Sequence, residues 1–413
     1  MYRSICRLSG WTFQIGEVQR TALCNFRTDA DVLLNEMMDR RLFLKAAMMA
    51  PALLAGGFSG SVWLFLKQAK FGGTAQGERL ERILRSPNFR NGQFHNQLNT
   101  PVMTGENGTL KFFFNRSKRL KPSAPIPSMR CDLRAISADE NYFVWLGHSS
   151  YLLQADGKRI LVDPVLSGRA SPVSFTTKAF AGTDPYRVED LPEIDYLFIS
   201  HDHWDHLDYE TVVKLRGRVK KVICGLGVGA HLERWGYAPE TIAEGDWNES
   251  IDLDDHFRAH VLPARHFSGR GLKRNRTLWA AFALETASGY KIFLGGDGGY
   301  GPHFAEFGRQ FNGFDLAILE NGQYDTAWKY IHMMPNETLQ AAQDLQAAQI
   351  VPVHNSKFCI CNHDWDAPLR SITSLAGEMR SRLITPVIGN RVPLSNPASA
   401  STPWWTTVPE AAG

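Results

Sequence analysis

Phe198-Ile199-Ser200-His201-Asp202-His203-Trp204-Asp205-His206-Leu207-Asp208 is the stretch from which the rest of the chain is read. Its centre follows the pattern His-x-His-x-Asp-His. The residues just before it, Tyr196-Leu197-Phe198-Ile199, are apolar, aromatic and β-branched, which predicts a short buried strand. The motif then occupies the loop at the end of that strand. A continuing strand would send alternate side chains to opposite faces, whereas a loop lets several converge on one point. Imidazole nitrogens and a carboxylate oxygen suit a divalent ion such as zinc. A chance cluster of solvated polar residues is the alternative, and it fits poorly with so dense a spacing behind a buried strand.

Working outward, other apolar runs end in the same kinds of side chain. Residues 257–262 lead to His266, 291–294 lead to Gly295-Gly296-Asp297, and 350–353 lead to His354. Together with the opening motif, four strand ends deliver His or Asp toward what is expected to be one edge of a layered β structure. Further strands are expected at 142–146, 151–154, 159–162, 221–224, 278–285 and 316–319, with helices at about 335–348 and 366–383. Cys359 and Cys361, with His363 close behind, read either as a second soft metal site or as a partly buried loop beside the main one, and the loop is preferred. No cysteine pair has the spacing of a zinc ribbon or a dithiol redox site.

At 413 residues the chain is long enough for one large domain or two smaller ones, and its net charge of +3 gives no reason to expect nucleic acid as a partner. Eleven Trp and 24 Phe fit a large core and a greasy binding surface.

The N-terminal region reads as targeting. Asp39-Arg40-Arg41-Leu42-Phe43-Leu44-Lys45 resembles the bacterial twin-arginine export signal, and residues 46–66 follow it without a charge. That length suffices to span a bilayer as a helix. Residues 37–75 are therefore expected to be a signal or membrane anchor that leaves the folded domain on the periplasmic side. Residues 1–36 form a doubtful extension, because Met37 and Met38 offer later starts. Residues 76–135 read as a linker or arm. Their Phe112-Phe113-Phe114 and neighbouring basic residues suit either an anionic membrane surface or an arm wrapped over the catalytic domain, the second being preferred. The domain proper is expected over 136–395, followed by a tail at 396–413.

With these residues in view the chain resembles the metallo-β-lactamase superfamily, and within it the N-acylphosphatidylethanolamine phospholipase D-like group that includes RomA-like bacterial proteins. The supporting stretches are Leu146-Gly147-His148-Ser149-Ser150, Ile160-Leu161-Val162-Asp163-Pro164, Ala264-Arg265-His266-Phe267-Ser268-Gly269-Arg270-Gly271, Asn275-Arg276-Thr277-Leu278-Trp279, Gly295-Gly296-Asp297-Gly298-Gly299-Tyr300 and Tyr330-Ile331-His332-Met333-Met334-Pro335. The resemblance implies a four-layer αββα sandwich of the α/β class. It also implies two metal ions, with zinc expected and manganese or iron as alternatives. His201, His203 and His266 would hold the first, Asp205, His206 and His354 the second, and Asp297 would bridge them.

Such a site implies attack of a metal-bound hydroxide on a phosphodiester, most readily a phospholipid such as N-acylphosphatidylethanolamine. Asp205 would ligate and orient the nucleophile. His332 matches a family position near the substrate phosphate, where it would bond the phosphate or protonate the leaving group; a helix-start histidine bonding backbone is the plain alternative. His148 reads as a support for the site or as a structural break in a strand. Arg270 and Arg276 read as head-group contacts or as ordinary solvated arginines. The sequence Cys359-Ile360-Cys361-Asn362-His363 departs from what the phospholipase leads one to expect. A sugar-phosphate lactonase shares the fold and ligand set, and a non-catalytic envelope protein stabilised by metal is a third reading. Membrane association is expected and nucleic acid is not.

Overall fold

The computed structural model describes residues 59–104, 116–254 and 256–410. The chain divides into two units, residues 1–63 and 64–413. Of the first, only the beginning of the helix Ser59–Leu66 is described. The twin-arginine pattern, most of the apolar stretch and Phe112–Phe114 lie outside the described residues. No described helix is long and apolar enough to cross a membrane.

A two-stranded hairpin, β1 (Phe89–Arg90) and β2 (Gln93–Phe94), precedes two large sheets. The first sheet is built from β3 (Tyr142–Trp145), β4 (Tyr151–Ala155), β5 (Lys158–Val162), β6 (Ile194–Ile199), β7 (Val219–Gly225) and β8 (Ile242–Gly245). The second is built from β9 (Ser250–Asp254), β10 (Phe257–Leu262), β11 (Ala281–Glu285), β12 (Lys291–Leu294), β13 (Phe314–Glu320) and β14 (Ala347–Val353). β15 (Arg391–Pro393) returns to the free edge of β3. The strand orders are β15-β3-β4-β5-β6-β7-β8 and β14-β13-β12-β11-β10-β9.

Side-chain alternation sorts the first sheet into two faces. Phe143, Trp145, Leu153, Ile160 and Phe198 point into the core shared with the second sheet, while Val144, Leu152, Leu161, Leu197 and Ile199 enter a separate outer cluster. The rings of Phe198 and Phe282 meet edge to face at 5.2 Å across the two sheets, a contact contributing about 0.5–1.5 kcal/mol beyond its buried area. The outer face of the first sheet is covered by Val212 and Leu215 of helix Tyr209–Leu215 and by Leu232 of helix Gly229–Arg234. On the second sheet, Phe304 and Phe307 of helix His303–Phe311 pack their rings on Phe293. The result is the expected helix–sheet–sheet–helix sandwich.

Element bounds differ from expectation where local signals compete. The helix expected over 335–348 ends at Asp344, and its last residues instead open β14, pairing in parallel with β13. The helix expected over 366–383 is Ala367–Leu375, which gives way to a 3₁₀ stretch, Gly377–Arg382, where Gly377 adopts φ +50°.

The described parts of the region read as linker or arm lie on the sandwich. Arg79 pairs with Glu233 at 2.6 Å and also with Glu244. Ile83 and Phe94 are buried in the core between the sheets. Arg119 reaches Asp366 at 3.0 Å.

Candidate metal centre

The ends of β6, β10, β12 and β14 meet at one edge of the sandwich. His201 to His206 follow β6 of the first sheet, and His266, Asp297 and His354 follow strands of the second. The crowding there explains Gly296: it adopts φ +58°, and a Cβ at this position would lie 2.7 Å from Cβ of Ser200. Only glycine meets both conditions at once.

His201, His203 and His266 form one cluster. Nδ1 of His203 lies 2.8 Å from Nε2 of His201 and 3.2 Å from Nε2 of His266. Both partners have committed their other nitrogen. His266 donates from Nδ1 to the Ile331 carbonyl at 2.9 Å, and Nδ1 of His201 meets the Ser200 hydroxyl at 3.0 Å. Two unprotonated nitrogens therefore converge on a third in a buried space, an arrangement that a cation between them stabilises.

The second cluster is organised by two carboxylate oxygens. Asp297 Oδ2 lies 3.1 Å from Nε2 of His206 and 3.2 Å from Nε2 of His354. Asp205 Oδ2 lies 3.6 Å and 3.4 Å from the same two nitrogens. Four donors around a zinc ion at its usual bond lengths of about 2.0–2.1 Å stand roughly 3.4 Å apart. The same Asp297 oxygen is 3.9 Å from His201 and 3.8 Å from His266, so it faces both clusters. His206 Nε2 and Asp297 Oδ1 are buried without a hydrogen-bond partner. The donor set, its spacing and these orphaned atoms fit two divalent ions in the arrangement implied by the resemblance.

Burial is the largest influence on the first cluster. It holds His203 down at about 4 and keeps His201 and His266 well below the ordinary imidazole range. These rings are therefore neutral at physiological pH, as metal ligands must be. Burial also acts on His206, but Asp297, Asp205 and Asp163 outweigh it and lift the ring. Asp205 and Asp297 are held well below the carboxylate range because the neighbouring histidines, His206 foremost, overcome burial.

Residues around the donors fix their orientation. Asp163 Oδ2 accepts from His206 Nδ1 at 2.8 Å and from the Ser200 hydroxyl at 2.5 Å. His148, at φ +54°, donates from Nε2 to Asp205 at 3.0 Å. It therefore supports the site. His332 donates from Nδ1 to Glu320 Oε2 at 2.8 Å, while Glu320 Oε1 accepts the Met333 amide at 2.6 Å. The His332 ring thus bonds a buried carboxylate and stacks 5.2 Å from His354. Asn96 clasps the backbone of His266, accepting from its amide at 3.1 Å and donating to its carbonyl at 2.7 Å.

Asp163, Glu320 and Asn96 escape a reading from sequence. Asp163 and Glu320 carry the same signal as Asp297, an acid at the end of an apolar run. Asn96 carries none, because it stands in a stretch rich in Asn and Gly. Arg270 is neither a head-group contact nor a solvated arginine. It is buried, donates to the carbonyls of Asp202 and Leu207 at 2.9 and 2.5 Å, and stacks on Trp204 at 4.0 Å, bracing the motif loop. Arg276 is exposed. The segment 359–363 is loop: Cys361 bonds the Tyr324 carbonyl, and His363 accepts the Gln323 amide at 2.9 Å while donating to the Asp364 carbonyl at 2.7 Å. Among the described residues no metal-competent cluster includes these cysteines.

Residues 158–355 match the family model described as Beta-lactamase superfamily domain. An uncharacterized protein of Mycobacterium tuberculosis is 37% identical over 329 residues, covering 78% of this chain and 88% of that protein. Outer membrane protein RomA of Klebsiella pneumoniae is 61% identical over 104 residues, covering 25% of this chain and 78% of that protein. N-acyl-phosphatidylethanolamine-hydrolyzing phospholipase D 1 of Caenorhabditis elegans is 30% identical over 224 residues, covering 52% of this chain and 63% of that protein.

Proposed function

Because this chain belongs to the metallo-β-lactamase superfamily and is a metal-dependent hydrolase, we propose that it hydrolyses a phosphodiester, with a phospholipid as its substrate. The observation that carries this reading is the pair of donor clusters facing one oxygen of Asp297. Two divalent ions held by His201, His203 and His266 and by Asp205, His206 and His354, with Asp297 facing both, would supply an activated water and charge neutralisation for displacement at phosphorus. The 30% identity to the C. elegans enzyme, whose name states a phospholipid substrate, supports a lipid.

The chain's own residues direct the reaction. His203 and Asp205 are the partly exposed members of the cluster, and the other donors are buried. Substrate therefore approaches on their side, and the remaining donors stay dry. His148 holds the Asp205 carboxylate in place by its hydrogen bond. His332 has committed Nδ1 to Glu320, so a proton given to a departing alkoxide comes from Nε2. The proposal includes a location on the exported side of a membrane, supported by Arg40-Arg41 and the apolar stretch after them and by the name of the RomA relative.

The test is turnover by the purified full chain, with bound metal counted, on N-acylphosphatidylethanolamine, phosphatidylethanolamine, bis(p-nitrophenyl) phosphate and a sugar lactone. Phospholipid cleavage that disappears in Asp297→Asn is the expected result. Lactone opening without phosphodiester cleavage transfers the chain to the lactonases. Two bound metals and no turnover on any member of the panel overturns the proposal.

A further inference from the structure

Residues 268–276 form a closed loop beside the metal centre. The Asn275 amide donates to the Ser268 carbonyl at 3.0 Å, and the Asn275 side-chain oxygen accepts the Ser268 amide at 3.2 Å. The β1–β2 hairpin secures the same end, because the Phe94 amide donates to the Asn275 carbonyl at 2.8 Å. At the loop's base the Phe267 ring lies 4.5 Å from the ring of His203 and 4.8 Å from that of His266. The Arg274 guanidinium stands 5.1 Å from the centre of the Phe267 ring. Side chains in contact thus connect the loop to the first donor cluster, at His203, one of its partly exposed members.

The tip is apolar and cationic at once. Leu272 is 75% exposed, more than any other large apolar side chain among the described residues. Lys273, Arg274 and Arg276 are exposed too, and among the described residues none of them makes an ion pair with a carboxylate. Asp202, the carboxylate that bonds this loop, is buried and already holds the Gly269 amide, the Thr277 hydroxyl and His231. Glu244, which accepts the Gly227 amide beside the Arg276 backbone, is paired with Arg79. Residues 256–284 contain no Asp or Glu, and neither do residues 82–105, which include the hairpin.

The chain enters the domain at this loop. Phe65, from the end of the charge-free stretch 46–66, meets the Phe71 ring at 5.2 Å. Phe71 in turn lies 3.8 Å from where a Cβ on Gly271 would stand, and Arg270 donates to the Lys70 carbonyl at 2.9 and 3.1 Å. The loop tip, its cations and the end of the apolar stretch therefore gather at one place. A partner that offers negative charge alone, such as a nucleic acid, gives an exposed leucine no role. A phospholipid surface offers anionic phosphates and an apolar layer beneath them, and each satisfies one part of the tip.

We propose that the loop between Ser268 and Asn275 docks on an anionic phospholipid surface, with Leu272 entering the interface and Lys273, Arg274 and Arg276 facing the headgroup phosphates. Docking there turns the His203 side of the metal centre toward the headgroups. The proposal deepens the phospholipid reading, on which it rests for the reason to dock, while its test needs no turnover.

The experiment is hydrogen exchange, followed by mass spectrometry, on the metal-loaded full chain in vesicles of phosphatidylglycerol and in vesicles of phosphatidylcholine. Variants Lys273→Ala, Lys273→Ala/Arg276→Ala, Leu272→Asp and Leu272→Phe are checked first for unchanged metal content and melting temperature. The amides of residues 270–276 should exchange at least fivefold more slowly on phosphatidylglycerol than on phosphatidylcholine. Each cation removed should cut that extra protection about fivefold. Leu272→Asp should abolish it and Leu272→Phe should keep it. Salt at 1 M, where screening acts over about 3 Å, should also remove it. Equal exchange on the two lipids, which the apolar stretch alone would produce, overturns the proposal. Protection unmoved by these variants, or produced equally by a DNA oligonucleotide without vesicles, overturns it too. Docking as expected in a protein that cleaves no phosphodiester leaves the loop's role standing and removes the phosphodiesterase reading. Cleavage of dispersed bis(p-nitrophenyl) phosphate without docking does the reverse.

Discussion

Asp163 Oδ2 lies 2.8 Å from Nδ1 of His206, and the same oxygen takes the hydroxyl of Ser200, which in turn meets Nδ1 of His201 at 3.0 Å. One carboxylate therefore sets the tautomer of two histidines that belong to different donor clusters. In its neutral form each ring then carries its proton on Nδ1 and presents Nε2 inward.

Asp163→Asn should disturb both clusters at once. Loss of such a supporting carboxylate typically costs about 10–100-fold in metal affinity or activity. Elemental analysis after dialysis should find less than the wild-type metal content, with turnover falling in step. A variant that keeps both its metal and its rate would show that the ring orientations are fixed by other contacts.

Glu320→Gln should leave the metal bound and damage the chemistry. The carboxylate holds Nδ1 of His332 and the Met333 amide, and its distance of 3.5 Å to His354 Nδ1 is too loose for that ligand to depend on it. Positioned proton donors contribute about 10²–10⁴-fold. The fall in kcat should be large for an alkyl leaving group and small for p-nitrophenol, which needs no proton to depart. Equal losses on both substrates would count against His332 as the donor.

Asn96→Ala should loosen His266 from outside the sandwich. It removes two hydrogen bonds to that residue's backbone and one at 3.2 Å from Trp279 Nε1. Leaving the two backbone groups of His266 unpaired costs about 1–3 kcal/mol each, while Trp279 Nε1 keeps its bond to the Ala264 carbonyl at 2.8 Å. The expected readout is a lower melting temperature and faster loss of one metal equivalent to a chelator, with the other equivalent held as in wild type.

Removing both metals should destabilise the whole domain. The converging nitrogens of His201, His203 and His266 then face one another without a cation between them. An ion present at a thousand times its dissociation constant stabilises the fold by about 4 kcal/mol. Scanning calorimetry should show a lower melting temperature in chelator, restored by zinc. Retention should also fall as pH drops, because the imidazoles must be unprotonated to bind.

The architecture was legible from sequence wherever one residue carried its own signal. Apolar runs marked the strands that end in His201, His266, Asp297 and His354, and these strands do bring their ends together. What stayed hidden was set by partners far away in the chain. Glu320 and Asp163 read as ordinary strand-end acids until His332 and His206 are seen against them. Arg270 has a surface residue's composition and becomes a buried brace only because the carbonyls of Asp202 and Leu207 and the face of Trp204 surround it. The helix expected to run past Asp344 stops there because β13 offers the following backbone a ladder, and local propensity cannot register that offer.

The clasp of Asn96 on His266 also has a consequence in time. Asn96 emerges early in synthesis and His266 much later, while His354 is among the last parts of the domain to appear. A growing chain therefore lacks a complete donor set, and the early segment must wait, undocked, for its target. Metal capture becomes a terminal event of biogenesis, a checkpoint passed only by chains whose two ends have both found their places.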